Sequence, residues 1–252
     1  MLQKIIGLTR RAVMDFDMIE DGDKIAIGLS GGKDSITLLK ALHILQKFYP
    51  KKFEIMAITI HPGSETFKTD ELEIMCKEMG IEYLVYNSNI TQVVFDIRKE
   101  KNPCSLCANM RRGMLNSLAI EHGCTKIALG HHKDDVMETF LMSVLLNGKI
   151  YTFAPVTYLS RSDVKVIRPF IYVDEAMTRK CARENNYPVV GKCCPKDGAT
   201  KREFMKNLLK SLVREIPRVR EHVFGAILRS SIDGWTENKS IKKNDDIANI
   251  EE

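Results

Sequence analysis

Residues 24–48 restrict the possible folds of this chain more than any other segment. The apolar stretch KIAIGL at residues 24–29 predicts a buried strand, and residues 35–48 have the periodicity of a helix. The hexapeptide SGGKDS joins the two. A strand that runs through glycines directly into a helix is typical of a phosphate-binding loop, because backbone N–H groups and the helix dipole converge on an anion there.

Each residue type in this loop suits a nucleotide phosphate. The two glycines remove side-chain bulk, the serines add hydroxyl donors, the lysine can reach a phosphate, and the aspartate can hold Mg²⁺. A tight turn without a ligand is the alternative, but the complete hexapeptide in this position favours ATP. The spacing is not that of a Walker A loop, which places four residues between its first glycine and the Gly-Lys pair. The expected ATP-binding residues are Ser30, Gly31, Gly32, Lys33, Asp34 and Ser35.

Strands alternate with helices along the first 150 residues. We predict strands at residues 24–29, 53–60, 81–86 and 126–129, and helices at 2–17, 35–48, 69–79, 111–122 and 134–146. This alternation predicts an α/β fold with a parallel sheet between helices. Ligands of such sheets bind beyond the carboxyl ends of the strands. The glycine loop, His61 and residues 130–132 should therefore share one crevice.

A second polar motif, GHHKDDVMET, spans residues 130–139. On a helix Asp135 lies on the same face as Glu138 and Thr139, so the motif concentrates acids at the expected ligand edge. The competing interpretation is a helix N-cap, which is equally good for Asp134 alone. A zinc site is less favoured, because the spacing matches no His-Glu-x-x-His type.

The chain has seven cysteines, an odd number that argues against a disulfide framework and for metal-binding or catalytic thiols. Cys104 and Cys107 form a CxxC element that can bind a metal or cluster, or form a redox disulfide. A thioredoxin-type motif would open a helix directly after an early strand, which this one does not. Cys193 and Cys194 are candidate further ligands. Cys76, Cys124 and Cys181 are expected to be buried small hydrophobes.

The motifs SGGKDS, CSLCANMRRG and GHHKDDVMET, followed by a late cysteine and a basic helix, resemble a known family. SGGKDS is similar to the signature of the PP-loop ATP pyrophosphatases, and the ordered set resembles the tRNA 2-thiocytidine synthetases over residues 2–212. The resemblance implies a five-stranded parallel sheet with a C-terminal helical extension. It also implies a [4Fe–4S] cluster on Cys104, Cys107 and Cys194. The family has a second CxxC where this chain has Cys193-Cys194, so either of the two fits, and zinc with a fourth ligand (Cys193 or Cys181) is the alternative.

The resemblance further implies a reaction and its participants. ATP would adenylate the C2 oxygen of an anticodon-loop cytidine in tRNA, and sulfide would then displace AMP. The sulfur would come from a cysteine desulfurase or from free sulfide, and a homodimer is one possible assembly. Asp34 would hold Mg²⁺, and the expected catalytic residues are Lys33, Arg111, and Asp135 or Asp134. The remaining expected nucleotide-binding residues are Ile60, Gly130 and His131.

The sequence also suggests how the chain is organised. We expect an N-terminal helix (1–22), an ATP-binding domain with the inserted CxxC (23–170), a C-terminal helical segment (171–235) and a flexible tail (236–252). Residues 192–220 hold nine Lys and Arg against three Asp and Glu, which favours an RNA contact. In the expected helix at 200–214, Arg202, Lys206, Lys210 and Arg214 recur at four-residue spacing. A cytoplasmic protein without a membrane segment is expected.

Two other functions remain open from the sequence. One is a different PP-loop reaction, such as ligation of an amine to a tRNA cytidine, which needs no cysteines. The other is a non-catalytic iron–sulfur or zinc protein that binds RNA or senses redox state. Such a protein would release no AMP from ATP when given tRNA.

Overall fold

The computed structural model describes residues 1–98, 103–190 and 200–235, and it shows an α/β fold built on one sheet. The strands are β1 (Asp23–Gly28), β2 (Phe53–His61), β3 (Glu82–Asn87), β4 (Lys126–Ala128), β5 (Val156–Leu159) and β6 (Val164–Ile167). The helices are α1 (Leu2–Asp15), α2 (Lys33–Gln46), α3 (Asp70–Glu78), α4 (Ile90–Gln92), α5 (Pro103–Glu121), α6 (Lys133–Asn147), α7 (Glu175–Glu184), α8 (Lys201–Glu215) and α9 (Val219–Leu228). A π-helical turn, Val93–Ile97, follows α4.

The sheet has the strand order β3-β2-β1-β4-β6-β5. All neighbouring pairs are parallel except β5 and β6, which form an antiparallel hairpin. The predicted α/β class is therefore confirmed, but the predicted count of five strands is wrong because six are present. The hairpin strands have four residues each, which is too short for a clear alternation of apolar and polar residues.

The central strand β1 divides the core into two layers. Ile25 and Ile27 face one layer, which contains residues of α1, α2, α6, α7 and α9 together with Trp235. Ala26 faces the other layer, where it packs with residues of α5. This alternation follows from the two-residue side-chain period of a strand. A strand buried on both faces reads as a continuous apolar run, which is why KIAIGL was recognisable in the sequence.

Two other features differ from the sequence-based expectation. Helix α5 begins at Pro103 and not at residue 111, so Cys104 and Cys107 lie inside its first turn. Proline is well tolerated there because the first N–H groups of a helix have no intrahelical acceptor. Helix α9 was not predicted. Residues 236–252, the expected tail, lie outside the described residues, and no helix in the described ranges is long and apolar enough to cross a membrane.

Candidate functional site

The loop between β1 and α2 depends on a glycine for its backbone conformation and on two serines for its internal hydrogen bonds. Gly31 has a φ of +75°, in the left-handed region that favours glycine, and an added Cβ would lie 2.6 Å from the Val190 side chain. The Ser35 hydroxyl accepts from the Ser30 N–H at 3.1 Å and donates to the Gly32 carbonyl at 2.9 Å. The loop backbone is thus ordered by contacts of its own.

Two residues of α7 contact the charged side chains of the loop. The Lys33 ammonium lies 2.7 Å from an Asp34 carboxylate oxygen and 3.1 Å from a Glu175 oxygen. The Thr178 hydroxyl donates to the other Asp34 oxygen at 2.5 Å. Asp34 therefore presents hard oxygen donors of the kind that Mg²⁺ takes, and Lys33 must move off the Asp34 carboxylate for Mg²⁺ to bind there.

Gly130, after β4, lies against the same loop. A Cβ at Gly130 would come within 3.2 Å of the Asp34 backbone carbon, so glycine favours this close approach. The structure thus brings the first two sequence motifs together at the carboxyl ends of β1 and β4. His61 lies at the end of β2, but both nitrogens of its ring contact backbone groups of nearby residues. Its Nε2 is 2.9 Å from the Phe67 carbonyl, and its Nδ1 accepts from the Gly63 N–H.

A cavity of about 170 Å³ opens beside Ser30. Its walls are mostly apolar, and two arginines of α5 reach it. Arg111 is one of them, and its Nε is buried without a hydrogen-bond partner among the described residues. A buried donor of this kind favours a ligand, because an unpaired buried polar group is costly. The lining residues are Gly28, Leu29, Ser30, Ile58, Ile60, Phe67, Arg111, Arg112, Leu115 and Leu129.

The CxxC element lies on the same helix as Arg111. Cys104 is exposed and Cys107 is half-buried, three residues apart in the first turn of α5, so their side chains project from one side. Arg111 follows Cys107 by four residues, one turn further along. Two thiolates suit an iron–sulfur cluster or zinc. Cys193 and Cys194, the candidates for the third ligand, lie outside the described residues.

The other cysteines are buried, as the sequence suggested. Cys76, Cys124 and Cys181 have almost no exposed surface. Burial raises the pKa of Cys76 and of Cys124 to about 11, so both remain neutral thiols at neutral pH. Such thiols are poor metal ligands and poor nucleophiles.

The acidic motif at the start of α6 caps this helix and forms an ion pair with α8. The Asp135 carboxylate accepts from the His132 N–H at 2.9 Å, while the Asp135 N–H donates to His132 Nδ1, which makes a reciprocal cap. Asp135 also pairs with Arg202 of α8 at 2.7 Å. Burial opposes ionisation of Asp135, yet His132, His131 and Arg202 hold its pKa below the ordinary range.

Asp134 is the residue of the motif with the clearest structural role. Its carboxylate lies 2.7 Å from Arg220 of α9 and accepts from the Glu175 N–H at 2.8 Å, at the start of α7. These contacts tie α6 to α7 and α9, through residues that lie 41 and 86 positions after Asp134. No group of three His, Cys, Asp or Glu in the described ranges has the geometry of a metal site, and the motif provides no zinc site there.

His131 is half-buried, and its Nδ1 atom has no access to solvent. Burial, with the nearby charges of Arg168 and Arg202, lowers the pKa of His131 to about 4 against the opposing effect of Asp135. The imidazole is therefore neutral at neutral pH. Its ring lies 5.1 Å from that of Phe153, over which the Arg168 guanidinium stacks at 5.0 Å. His131 Nδ1 has no hydrogen-bond partner in the described part of the chain.

Glu138 should make the free energy of unfolding depend on pH. Burial, reinforced by the charge of Asp135, raises its pKa from 4.5 to about 7. A pKa raised on folding adds stability that is complete below pH 4.5 and is lost as the pH rises through 7. Between about pH 5 and about pH 8, the free energy of unfolding should fall by ~2 kcal/mol less in Glu138→Gln than in the unmodified protein. Urea denaturation at the two pH values measures this change.

The control for this prediction is Glu78→Gln, a substitution at an exposed position of α3. It should leave the pH dependence as in the unmodified protein. If the Glu78 and Glu138 variants have the same pH dependence, then burial does not raise the Glu138 pKa.

The basic helix α8 differs from its sequence-based interpretation. Thr200 caps it by accepting from the Glu203 N–H. Arg202 and Lys206 pair with Asp135 and with Glu175, although the Arg202 side chain is 43% exposed. Part of the positive charge of this stripe is therefore balanced by acids of the protein. Lys210 and Arg214 are exposed, as is Phe204.

Glu175, Thr178 and Arg220 were missed by sequence reasoning. Each contacts a residue of the two recognised motifs, but none lies within a motif of its own. The only local signal is the position of Glu175 in the first turn of a predicted helix, where an acid is common. Their partners are separated from them by 41 to 144 residues along the chain, so only the fold reveals them.

Comparison with known proteins supports this arrangement. The PP-loop domain family matches residues 8–212. The chain is 41% identical over 228 residues to the tRNA-cytidine(32) 2-sulfurtransferase of Geobacter metallireducens, with 89% of each protein covered. It is 38% identical over 227 residues to the enzyme of the same name from Pseudomonas fluorescens, covering 89% of this chain and 83% of that protein.

A solved structure is also similar. The U34-tRNA thiolase NcsA from Methanococcus maripaludis, with its [4Fe–4S] cluster, superposes with a TM-score of 0.70 at 26% identity, covering 87% of this chain and 76% of that one. The matched length, the identity and the shared fold together show the family of the chain. The chain belongs to the PP-loop family and, within it, to the family of the tRNA-cytidine(32) 2-sulfurtransferases.

Proposed function

We propose that this protein is an ATP-dependent tRNA sulfurtransferase that replaces the C2 oxygen of cytidine 32 by sulfur. The observation that carries the proposal is the convergence of the ATP loop and the cysteine helix on one cavity. Ser30 and Arg111 line that cavity together, and Cys107 precedes Arg111 by one helical turn. Relatives that are named for this activity, and that align with this chain over most of their length, support the same reaction.

The ATP loop would perform the first half of the reaction. The phosphates would bind at the backbone of Gly31 and Gly32 and at the N-terminus of α2, and the adenine ring would enter the apolar cavity that includes Ile60. The C2 oxygen of the cytosine attacks the α-phosphorus, and pyrophosphate leaves. Lys33 and Arg111 would stabilise the negative charge that develops on the phosphate.

The second half exchanges the activated oxygen for sulfur. Sulfide adds to C2, and AMP leaves with the original oxygen, so one ATP and one sulfide are consumed for each C=S group formed. Thiolates of Cys104, Cys107 and Cys194 (or Cys193) would hold a [4Fe–4S] cluster. Such a cluster, with three protein ligands, supplies an open iron corner that can bind sulfide. Zinc on the same thiolates is the alternative.

Two acids would orient the reactants. Asp34 would hold Mg²⁺ against the phosphates, once Lys33 has moved from its carboxylate. Asp135 stays ionised at neutral pH because its pKa is lowered by the surrounding cations, so positioning of a cation suits it better than proton uptake. Asp134, paired with Arg220, would hold the motif in place.

Reconstitution of the purified protein tests the proposal. The protein is prepared without oxygen and given tRNA, Mg²⁺ and ATP with either free sulfide or cysteine plus a cysteine desulfurase. Mass spectrometry of the digested tRNA should detect 2-thiocytidine at position 32, and its amount should equal the AMP released. Sedimentation of the same sample determines whether the protein is a homodimer.

A comparison of cells with and without the gene gives an independent check. The proposal predicts that thiolated cytidine disappears from tRNA when the gene is removed. An unchanged set of thiolated nucleosides would contradict it, and an unthiolated, amine-modified cytidine would favour the ligase alternative.

A further inference from the structure

Glu175, the first residue of α7, has a carboxylate with three cationic partners. Its Oε1 lies 3.1 Å from the Lys33 ammonium of the ATP loop and 2.9 Å from the Arg179 guanidinium one turn along α7. Its Oε2 lies 2.7 Å from the Lys206 ammonium of α8. One carboxylate thus connects the ATP loop to a helix 170 residues further along the chain.

The surroundings of Glu175 make this connection rigid. Its side chain is 12% exposed, and although burial opposes ionisation, hydrogen bonds from Lys206, Lys33 and Arg179 hold its pKa far below the ordinary range. The carboxylate is therefore charged at any working pH. The same turn of α7 contacts the loop a second time, because Thr178 donates to Asp34.

We propose that Glu175 is a positioning residue, which holds Lys33 in place to receive the phosphates of ATP and is itself held by Lys206 of α8. The inference rests on the proposed function, because it assigns Lys33 to the phosphates of ATP. Removal of the charge should leave Lys33 with Asp34 as its one carboxylate partner among the described residues. Lys33 would then reach the phosphates less often.

A purely structural role makes a different prediction. If Glu175 only fastened α7 to its neighbours, loss of its charge would lower stability and would reduce the amount of active enzyme without changing the KM for ATP. Arg179 provides the matched control, because it pairs with the same carboxylate from an exposed position and contacts neither the loop nor α8 in the structure.

The experiment compares Glu175→Gln and Arg179→Ala with the unmodified enzyme. ATP affinity is measured by titration without tRNA, and AMP release is measured with tRNA at varied ATP. We expect Glu175→Gln to raise both the Kd and the KM for ATP about tenfold, with kcat changed less than about threefold. Arg179→Ala should stay within about twofold on each quantity. Thermal unfolding of the same samples verifies that the variants are folded.

The inference and the proposed function can fail separately. If the unmodified protein releases no AMP with tRNA, the proposed function is wrong, while the ATP titration still tests the role of Glu175. If Glu175→Gln binds ATP as Arg179→Ala does, the positioning role is wrong, even in an enzyme that thiolates tRNA.

Discussion

Replacement of Cys104 or Cys107 by alanine should lower the yield of thiolated cytidine by at least about a hundredfold, because loss of a ligand should exceed the ~10–100-fold cost of losing an outer partner of a metal site. The two thiols project from one turn of α5, and no other cysteine is described beside them. AMP release should persist, because in the proposed reaction the thiols serve the sulfur step and the ATP loop activates the base. Mass spectrometry, iron and sulfide analysis, and AMP release measure the three quantities.

Cys124→Ala is the matched control for the cysteine variants. Cys124 is buried against α5, with its thiol 3.4 Å from the Met56 sulfur. Its loss should leave a small cavity and lower stability by about 1 kcal/mol, while the cluster and the thiolation remain. Equal loss of thiolation in all three variants would show that the effect is structural. Retained activity in the Cys104 and Cys107 variants would favour the amine-ligating alternative.

Asp34→Asn should reduce ATP-dependent AMP release by at least ~10²-fold, the size of effect seen when one preorganised charge-stabilising group is removed. The amide keeps the shape of the side chain and a carbonyl oxygen that can accept from Thr178. The amide lacks the charge that would bind Mg²⁺ and that balances Lys33. We therefore expect a folded protein that does not activate the base, as measured by AMP release at saturating ATP.

The matched control is Asp70→Asn, the same substitution in the first turn of α3, where the aspartate is exposed. It should retain normal AMP release. A silent Asp34→Asn variant would remove the ATP loop from the mechanism, and the non-catalytic iron–sulfur or zinc protein would then be the better interpretation.

The core of the fold could be predicted because local pattern and tertiary role agree there. Strand β1 is continuously apolar since it is buried on both faces, and the loop after it needs glycine at Gly31 for a left-handed φ. Strands β5 and β6 could not be predicted in the same way, because four residues are too few to show a period. The start of α5 was placed too late, since the residues around CxxC have little helical periodicity.

The candidate site was predictable only where its residues lie within one motif. Ser30 and Asp34 were identified from SGGKDS, whereas Glu175 and Thr178 were not, because neither is unusual in its own segment. Arg202 shows the opposite case. Its spacing with Lys206 suggested an RNA-facing stripe, and the structure adds that both side chains pair with acids of α6 and α7.

The sequence by itself determined the ATP loop, the cysteine pair and the alternating order of strands and helices. Each depends on residues close in the chain, whose backbone geometry and hydrophobic period are local properties. Only the tertiary structure decided what the charges of the C-terminal helices do. Ion pairs such as Glu175 with Lys33 join positions more than 140 residues apart, and no local pattern records which cation a buried carboxylate will meet.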